Sequence, residues 1–185
     1  MSNLKPWDNL ASEYVGDFRI FRLRKDRCRS PRTSQEHDFY ILEAPDWCNV
    51  VALTPDDQVV LVRQYRFGIR GPTLEIPGGM LNGNEDPTDA ARRELLEETG
   101  YAADSIEPLA RTLPNPAIQN NVCHTALATG CRKIREPNLD EREDIEVLTR
   151  PLADIPRLIS TGEISHALVI VAFHHLFRER SRKNA

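Results

Sequence analysis

Apolar and polar positions roughly alternate from Phe18 to Arg24 (FRIFRLR), the two-residue period of a half-buried strand. Lys25 to His37 is polar and contains Pro31, so it reads as a loop. Asp38 to Leu42 and Asn49 to Leu53 read as further strands. Pro55-Asp56-Asp57 marks a turn, and Val59 to Tyr65 (VVLVRQY) has the unbroken apolar start of a buried strand. A helix is expected after Asp86. That aspartate can cap it, Pro87 suits its first position, and Gly100 can end it. Asn121 to Ala128 and Asp144 to Leu148 look like strands. Leu152 to Ser160 looks like a short helix closed by Gly162, with its first turn near Pro156. Ser165 can cap a last helix reaching about Arg180.

Strands and helices are therefore interleaved, which selects an α/β or α+β class over an all-β one. Residues 1–45 are expected to form an N-terminal strand extension and residues 46–185 the main domain. A chain of 185 residues is long enough for a substantial core. The net charge of −4 argues against a general nucleic-acid binder, which carries a basic face. It permits an anionic small-molecule substrate, because a bound metal reverses the local sign. Cys28, Cys48, Cys123 and Cys131 form no Cys-x-x-Cys pair and are expected as reduced thiols. The residues Met1 to Asp8 hold no apolar signal core, and the apolar run Ala167 to Phe173 is too short to span a bilayer. The expectation is a cytoplasmic protein without a membrane or nucleic-acid partner.

The chemistry concentrates in the predicted helix. Glu94, Glu97 and Glu98 are spaced i, i+3 and i+4, so they share one helix face. They also lie near the negative end of the helix dipole, where anions are least stable. A solvated acidic face is the ordinary reading of such a cluster. The alternative is that a hard cation sits among the carboxylates, Mg²⁺ above all or Mn²⁺.

The upstream spacing decides between them. Gly79, five residues, Glu85, seven residues, and then Arg93-Glu94-Leu95-Leu96-Glu97-Glu98-Thr99-Gly100-Tyr101 match the fixed positions of the Nudix box, G-x5-E-x7-R-E-U-x-E-E-x-G-U, with Tyr101 as the last bulky residue. The chain thus resembles the Nudix hydrolase superfamily. The resemblance implies an α/β/α sandwich with a mixed sheet and a loop–helix–loop metal site. It implies Glu94 and Glu98 as principal metal ligands, Glu97 assisting, and a backbone carbonyl at Gly78 or Gly79 as a further ligand. Arg93 would hold the glutamates, with Glu85 paired to it or stabilising the loop.

Other segments resemble the branch that cleaves ADP-ribose and nucleoside diphosphate sugars. Arg63-Gln64-Tyr65-Arg66 and Leu74-Glu75-Ile76-Pro77-Gly78-Gly79 precede the box. The likeness implies diphosphate contacts from Arg66 and Arg63, because a guanidinium fits phosphate oxygens. It gives Glu75 a role toward metal or substrate. Asn115-Pro116-Ala117 stands where many relatives have Ser-Pro-Gly, which brings Pro116 in as a substrate-side residue. Asp140-Glu141-Arg142-Glu143-Asp144-Ile145 resembles an acidic loop that supplies the general base and a late metal ligand. Glu141 is assigned as base and Glu143 as ligand, with the reverse open. Trp47 is a candidate for stacking on a base, against core packing. His124 and His166 read as packing or surface residues. The implied activity is metal-dependent hydrolysis of the diphosphate bond of ADP-ribose or a related nucleoside diphosphate sugar, giving NMP plus sugar phosphate. The rivals are a Nudix enzyme acting on nucleoside triphosphates, NADH or dinucleotides, and a non-catalytic ADP-ribose sensor. The N-terminal strands resemble a dimerising extension, which implies a homodimer.

Overall fold

The structure, a computed structural model, describes residues 4–183. The chain divides into two compact units: Met1–Pro45 with Leu113–Val122, and Asp46–Thr112 with Cys123–Ala185.

The first unit is a three-stranded antiparallel sheet in the order β1 (Asp8–Phe18), β2 (Phe21–Arg29), β3 (Glu36–Glu43). Two sequence expectations change here. The alternating run Phe18 to Arg24 is not one strand, because Phe18 pairs with Phe21 across the hairpin turn. Nor is Lys25 to His37 a loop throughout, since β2 continues to Arg29 and β3 begins at Glu36. Charge explains the miss. Asp26 is buried and accepts hydrogen bonds from Arg24 Nε at 2.8 Å and from the Ser12 hydroxyl at 2.7 Å. Arg24 also pairs with Glu43, while Arg27 and Arg29 both pair with Glu36. Cross-strand ion pairs hold these strands, and a hydrophobic pattern does not register them. The segment Leu113–Val122 adds to β3: Leu42 N–H donates to the Ile118 carbonyl at 2.7 Å.

The second unit is a mixed sheet with helices on both faces. Its path is β12 (Ile145–Pro151), β5 (Gln58–Arg66), β4 (Trp47–Leu53), β10 (Cys123–Thr129), β9 (Ser105–Thr112). β6 (Gly71–Glu75) pairs with β5, and β7 (Gly78–Met80) pairs with β4. β8 (Tyr101–Ala102) and β11 (Arg132–Lys133) form a separate two-stranded ribbon. β4 and β10 run parallel and the other pairs antiparallel.

Alternation along β4 builds both layers. Val51 and Leu53 pack with Leu61, Ile155, Leu158, Phe173 and Leu176, from β5 and from α2 (Ile155–Ser160) and α3 (Ala167–Lys183). Cys48, Val50 and Ala52 pack with Ala90, Ala91 and Leu95 of α1 (Pro87–Thr99). A strand covered on both faces reads as a continuous apolar run, which is why β4 and β5 stood out in the sequence. Each fully buried Leu, Ile or Phe adds about 1.5–3 kcal/mol of hydrophobic stabilisation. β9 was not foreseen. It is an edge strand carrying Pro108, a residue that only an edge tolerates, and its exposed positions break the apolar pattern.

The helix α1 starts and stops as its sequence dictates. Asp86 Oδ1 accepts from Thr88 N at 2.8 Å, and Pro87 occupies the first turn. Gly100 takes φ 74° and its N–H returns to the Leu96 carbonyl. A side chain at Gly100 would also run into the Arg135 carbonyl. Gly100→Ala is therefore expected to destabilise the fold by about 2 kcal/mol or more, a lowered Tm in thermal unfolding being the readout.

Candidate active site

The loop before α1 and the helix's last turns build one charged constellation. Arg93 is its hub. Nε donates to Glu85 Oε1 and Nη2 to Glu85 Oε2, both at 3.0 Å. Nη2 also reaches the Met80 carbonyl at 3.2 Å, and Nη1 donates to Glu94 at 2.7 Å and Glu97 at 3.0 Å. Glu85 in turn accepts the Asn82 N–H at 3.0 Å. The Arg93 guanidinium holds the Glu85 carboxyl below its ordinary range, and Glu85 is what most raises the Arg93 pKa. Glu85 thus anchors the loop to the helix through Arg93.

One guanidinium serves Glu85, Glu94 and Glu97, and Glu98 is left out. Glu98 is buried, 3% exposed, and its side chain accepts the Gly78 N–H at 3.0 Å. Burial pushes its carboxyl up to about 8; the nearby charges of Glu94 and Glu143 push the same way, against the Gly78 N–H and Arg66. Glu94 is also buried, and burial raises its pKa, with Glu97 and Glu143 adding to the effect and Arg93 opposing it. The backbone at Gly79 passes so close that a β-carbon there would overlap the Glu94 carboxylate. A larger residue at position 79 would displace that carboxylate.

The acidic loop before β12 contributes through Glu143. It is folded on Asp140: Glu143 accepts the Asp140 N–H at 3.0 Å and Asp140 accepts the Arg142 N–H at 2.6 Å. Glu143 acts electrostatically on both Glu94 and Glu98. Glu141 is exposed in the same turn.

The two arginines of β5 separate. Arg66 forms a two-pronged pair with Glu75, Nε to Oε1 and Nη2 to Oε2, both at 2.7 Å, and it lies within electrostatic reach of Glu98. Glu75 is 3% exposed and also accepts the Thr73 hydroxyl. Arg63 instead pairs with Glu146 at 2.8 Å, both exposed. Trp47 is half-buried at the start of β4, in register with Cys123 and Met80. Pro116 lies exposed in a turn closed by the Asn115 carbonyl and belongs to the first unit. His124 approaches Asp46 at 3.3 Å. His166 immediately precedes α3, and its Nδ1 is buried with no hydrogen-bond partner. Nothing in the sequence marks it, since a lone histidine at a helix start carries no spacing signal.

The donor set suits a hard divalent cation. Two buried carboxylates with elevated proton affinity, a third acidic side chain acting on both, and too little positive charge are what such an ion would relieve. Among the described residues, no three His, Cys, Asp or Glu side chains are placed to hold a metal ion by themselves. Mg²⁺ does not require such a set, because it is held by one or two carboxylates together with water and substrate phosphate.

Known proteins resemble this chain in sequence and in fold. A family model described as a NUDIX domain matches residues 46–172. An ADP-ribose pyrophosphatase of Bacillus subtilis (strain 168) is 31% identical over 137 residues, covering 74% of each chain. A methanol dehydrogenase activator of Bacillus methanolicus is 28% identical over 185 residues, with both chains covered in full. A solved structure described as an ADP compounds hydrolase superposes with a TM-score of 0.87 at 21% identity, over 100% of this chain and 99% of that one.

The displaced Glu98 carboxyl has a signed consequence for stability. A folded pKa raised from 4.5 to about 8 means that the folded protein binds the proton more tightly than the unfolded chain. That contribution is full below about pH 4.5 and is lost as pH rises through about 8. In metal-free protein, thermal melts from pH 5 to pH 8.5 are expected to show Tm falling with pH. Glu98→Gln should flatten the fall, and added Mg²⁺ should oppose it in the wild type at the alkaline end by binding the folded state.

Proposed function

This chain belongs to the Nudix family, and on that premise we propose that it hydrolyses the diphosphate bond of ADP-ribose or a closely related nucleoside diphosphate sugar. The observation that carries the reading is the pair of buried carboxylates, Glu94 and Glu98, both with raised pKa, on one face of the box helix. The enzyme is a hydrolase of the ADP-ribose pyrophosphatase type and needs a divalent metal; we assign Mg²⁺, with Mn²⁺ as a substitute. Products would be AMP and ribose 5-phosphate from ADP-ribose, and NMP and sugar phosphate from other substrates.

Glu94 and Glu98 would hold the cation, with Glu97, Glu143 and the Gly78 carbonyl completing its protein contacts. When bound, the cation neutralises diphosphate charge and makes nearby water more acidic. The chain's own groups do the rest. Arg93 holds Glu94 and Glu97 through one nitrogen, Nη1, which reduces the ordering needed at the moment of binding. Arg66 would turn its fork toward the diphosphate, with Arg63, now paired to Glu146, as a second contact. A glutamate of the acidic loop, Glu141 as base with Glu143 as ligand, would take the proton from the attacking water as the loop closes. Trp47 would stack on the base, and Pro116 would shape the sugar side.

We assign a homodimer as the working form. The first unit leaves Trp7, Tyr14, Phe18, Phe39 and Tyr40 exposed, a set of aromatic side chains suited to an interface. No helix among the described residues is long and apolar enough to cross a membrane, and we place the enzyme in the cytoplasm.

The test is product release with Mg²⁺ from ADP-ribose, GDP-mannose, UDP-glucose, NADH and nucleoside triphosphates, side by side. ADP-ribose or a nucleoside diphosphate sugar should give the highest kcat/KM. Preference for a triphosphate or for NADH would replace the substrate assignment, and tight binding of ADP-ribose without products would favour a sensor. Glu98→Gln should lower kcat by about a hundredfold or more, and retained turnover would contradict the metal assignment. Light scattering should return about twice the 21.1 kDa chain mass.

A further inference from the structure

Thr73 is a buried residue of β6 whose hydroxyl has a single proton to donate. That proton goes to Glu75 Oε1. The same oxygen accepts the Nε–H of Arg66 at 2.7 Å, and Oε2 accepts an Nη2–H at 2.7 Å. Both lone-pair positions of Oε1 are therefore filled. At 3% exposure, Glu75 offers almost no surface to a metal ion or to a substrate hydroxyl. Burial raises its pKa, but the hydrogen bonds from Arg66 and Thr73 outweigh that effect and hold the carboxyl below its ordinary value. Glu75 is an ionised acceptor, and what it accepts is one edge of a guanidinium.

The pair uses only part of Arg66. A guanidinium carries more N–H donors than one carboxylate can take. Glu75 takes Nε–H and one Nη2–H, which form the side edge, and leaves the other Nη2–H and both protons of Nη1 at the far end. The Arg66 side chain is 44% exposed while Glu75 is buried, so the uncommitted end is the accessible one. Chain geometry places this end at the site. Glu75 pairs in register with Val62, on the sheet face from which Val60 packs against Ala91 and Leu95 of α1. Glu75 also stands three residues before Gly78, whose N–H donates to Glu98 at 3.0 Å. Such a stretch of extended chain spans at most about 11 Å.

We propose that Thr73 and Glu75 are positioning residues that hold Arg66 by its side edge, so that the free Nη1–Nη2 end binds the substrate's diphosphate while the pair with Glu75 stays intact. The fork turns toward the diphosphate about an edge that does not leave Glu75. Its free end still matches two phosphate oxygens. Without the anchor, the guanidinium would sample the rotamers of its long stem and lose that freedom on binding. Thr73 matters because it pins the oxygen that carries the Nε contact, which keeps the carboxylate from rotating away. The role lies in binding and acts through Arg66, and neither Thr73 nor Glu75 touches the metal or the attacking water. This inference rests on the diphosphate-substrate reading above.

The experiment measures binding of α,β-methylene ADP-ribose with Mg²⁺ by calorimetry, alongside steady-state kinetics on ADP-ribose. T73V replaces the hydroxyl with a methyl group of similar shape. It should weaken the analogue and raise KM by about fivefold, on the scale of one hydrogen bond, with kcat changing less. T73S keeps the hydroxyl and should recover most of the affinity. R66A should bind more weakly by itself, and adding T73V to it should cost nothing further, because Thr73 acts through Arg66. In wild-type protein labelled with ¹⁵N-arginine, the Arg66 Nε–H resonance, identified by its loss in R66A, should exchange slowly with water and stay slow at saturation with the analogue. T73V binding as tightly as wild type, T73S binding as weakly as T73V, equal losses from T73V with and without Arg66, or rapid Nε–H exchange at saturation would each overturn the proposal, and the last applies even if T73V does not fold. Failure of wild type to bind the analogue at all would remove the diphosphate reading itself, whereas normal binding that ignores residue 73 would remove this inference alone.

Discussion

Everything at this site follows from a shortage of positive charge at the end of α1. A helix terminates with its carbonyls pointing outward, and here no basic residue occupies the last turn. The sequence places Glu94, Glu97 and Glu98 there nonetheless. Arg93 answers part of the resulting repulsion, and it also ties the preceding loop through Glu85. Glu98 receives only a backbone N–H, and its carboxyl is displaced far from the ordinary range. Stability alone would not select this arrangement. A site that must capture a doubly charged ion would, because the ion's binding energy is drawn from repulsion already present in the empty protein.

The fold exists, from this point of view, to keep that strain in register. β7 hangs on β4 by three residue pairs, which sets Gly78 and Gly79 against the helix. Val50 and Ala52 on the same strand lock the other side of α1 through Ala90, Ala91 and Leu95. β5 carries Arg66 to the strand end, and β6 returns beside it so that Glu75 meets the guanidinium. Arg93, Glu94, Glu97 and Glu98 are therefore carried by α1, Arg66 by β5 and Glu75 by β6, all on regular elements. Glu141 and Glu143 lie instead in the loop before β12.

How much of this could be read beforehand divides along physical lines. The helix boundaries were legible because Asp86, Pro87 and Gly100 each have one strong local preference. β4 and β5 were legible because burial on both faces demands a run of apolar residues. The strands of the first unit were misread because Arg24 with Glu43 and Arg27 with Glu36 hold them through cross-strand ion pairs that no periodicity reveals. β9 was missed because an edge strand is free to carry Pro108 and exposed polar residues. At the site, the box glutamates were readable from spacing. The pairing of Arg66 with Glu75, the separation of Arg63 toward Glu146, and the orphaned ring nitrogen of His166 depend on tertiary placement that spacing does not encode.

The most direct test of the central claim is anomalous diffraction from crystals soaked with Mn²⁺ and a non-hydrolysable diphosphate. The account predicts a peak within coordination distance of Glu94 and Glu98. A helix face that stays without metal at saturating Mn²⁺, with both carboxylates turned to solvent, would contradict it.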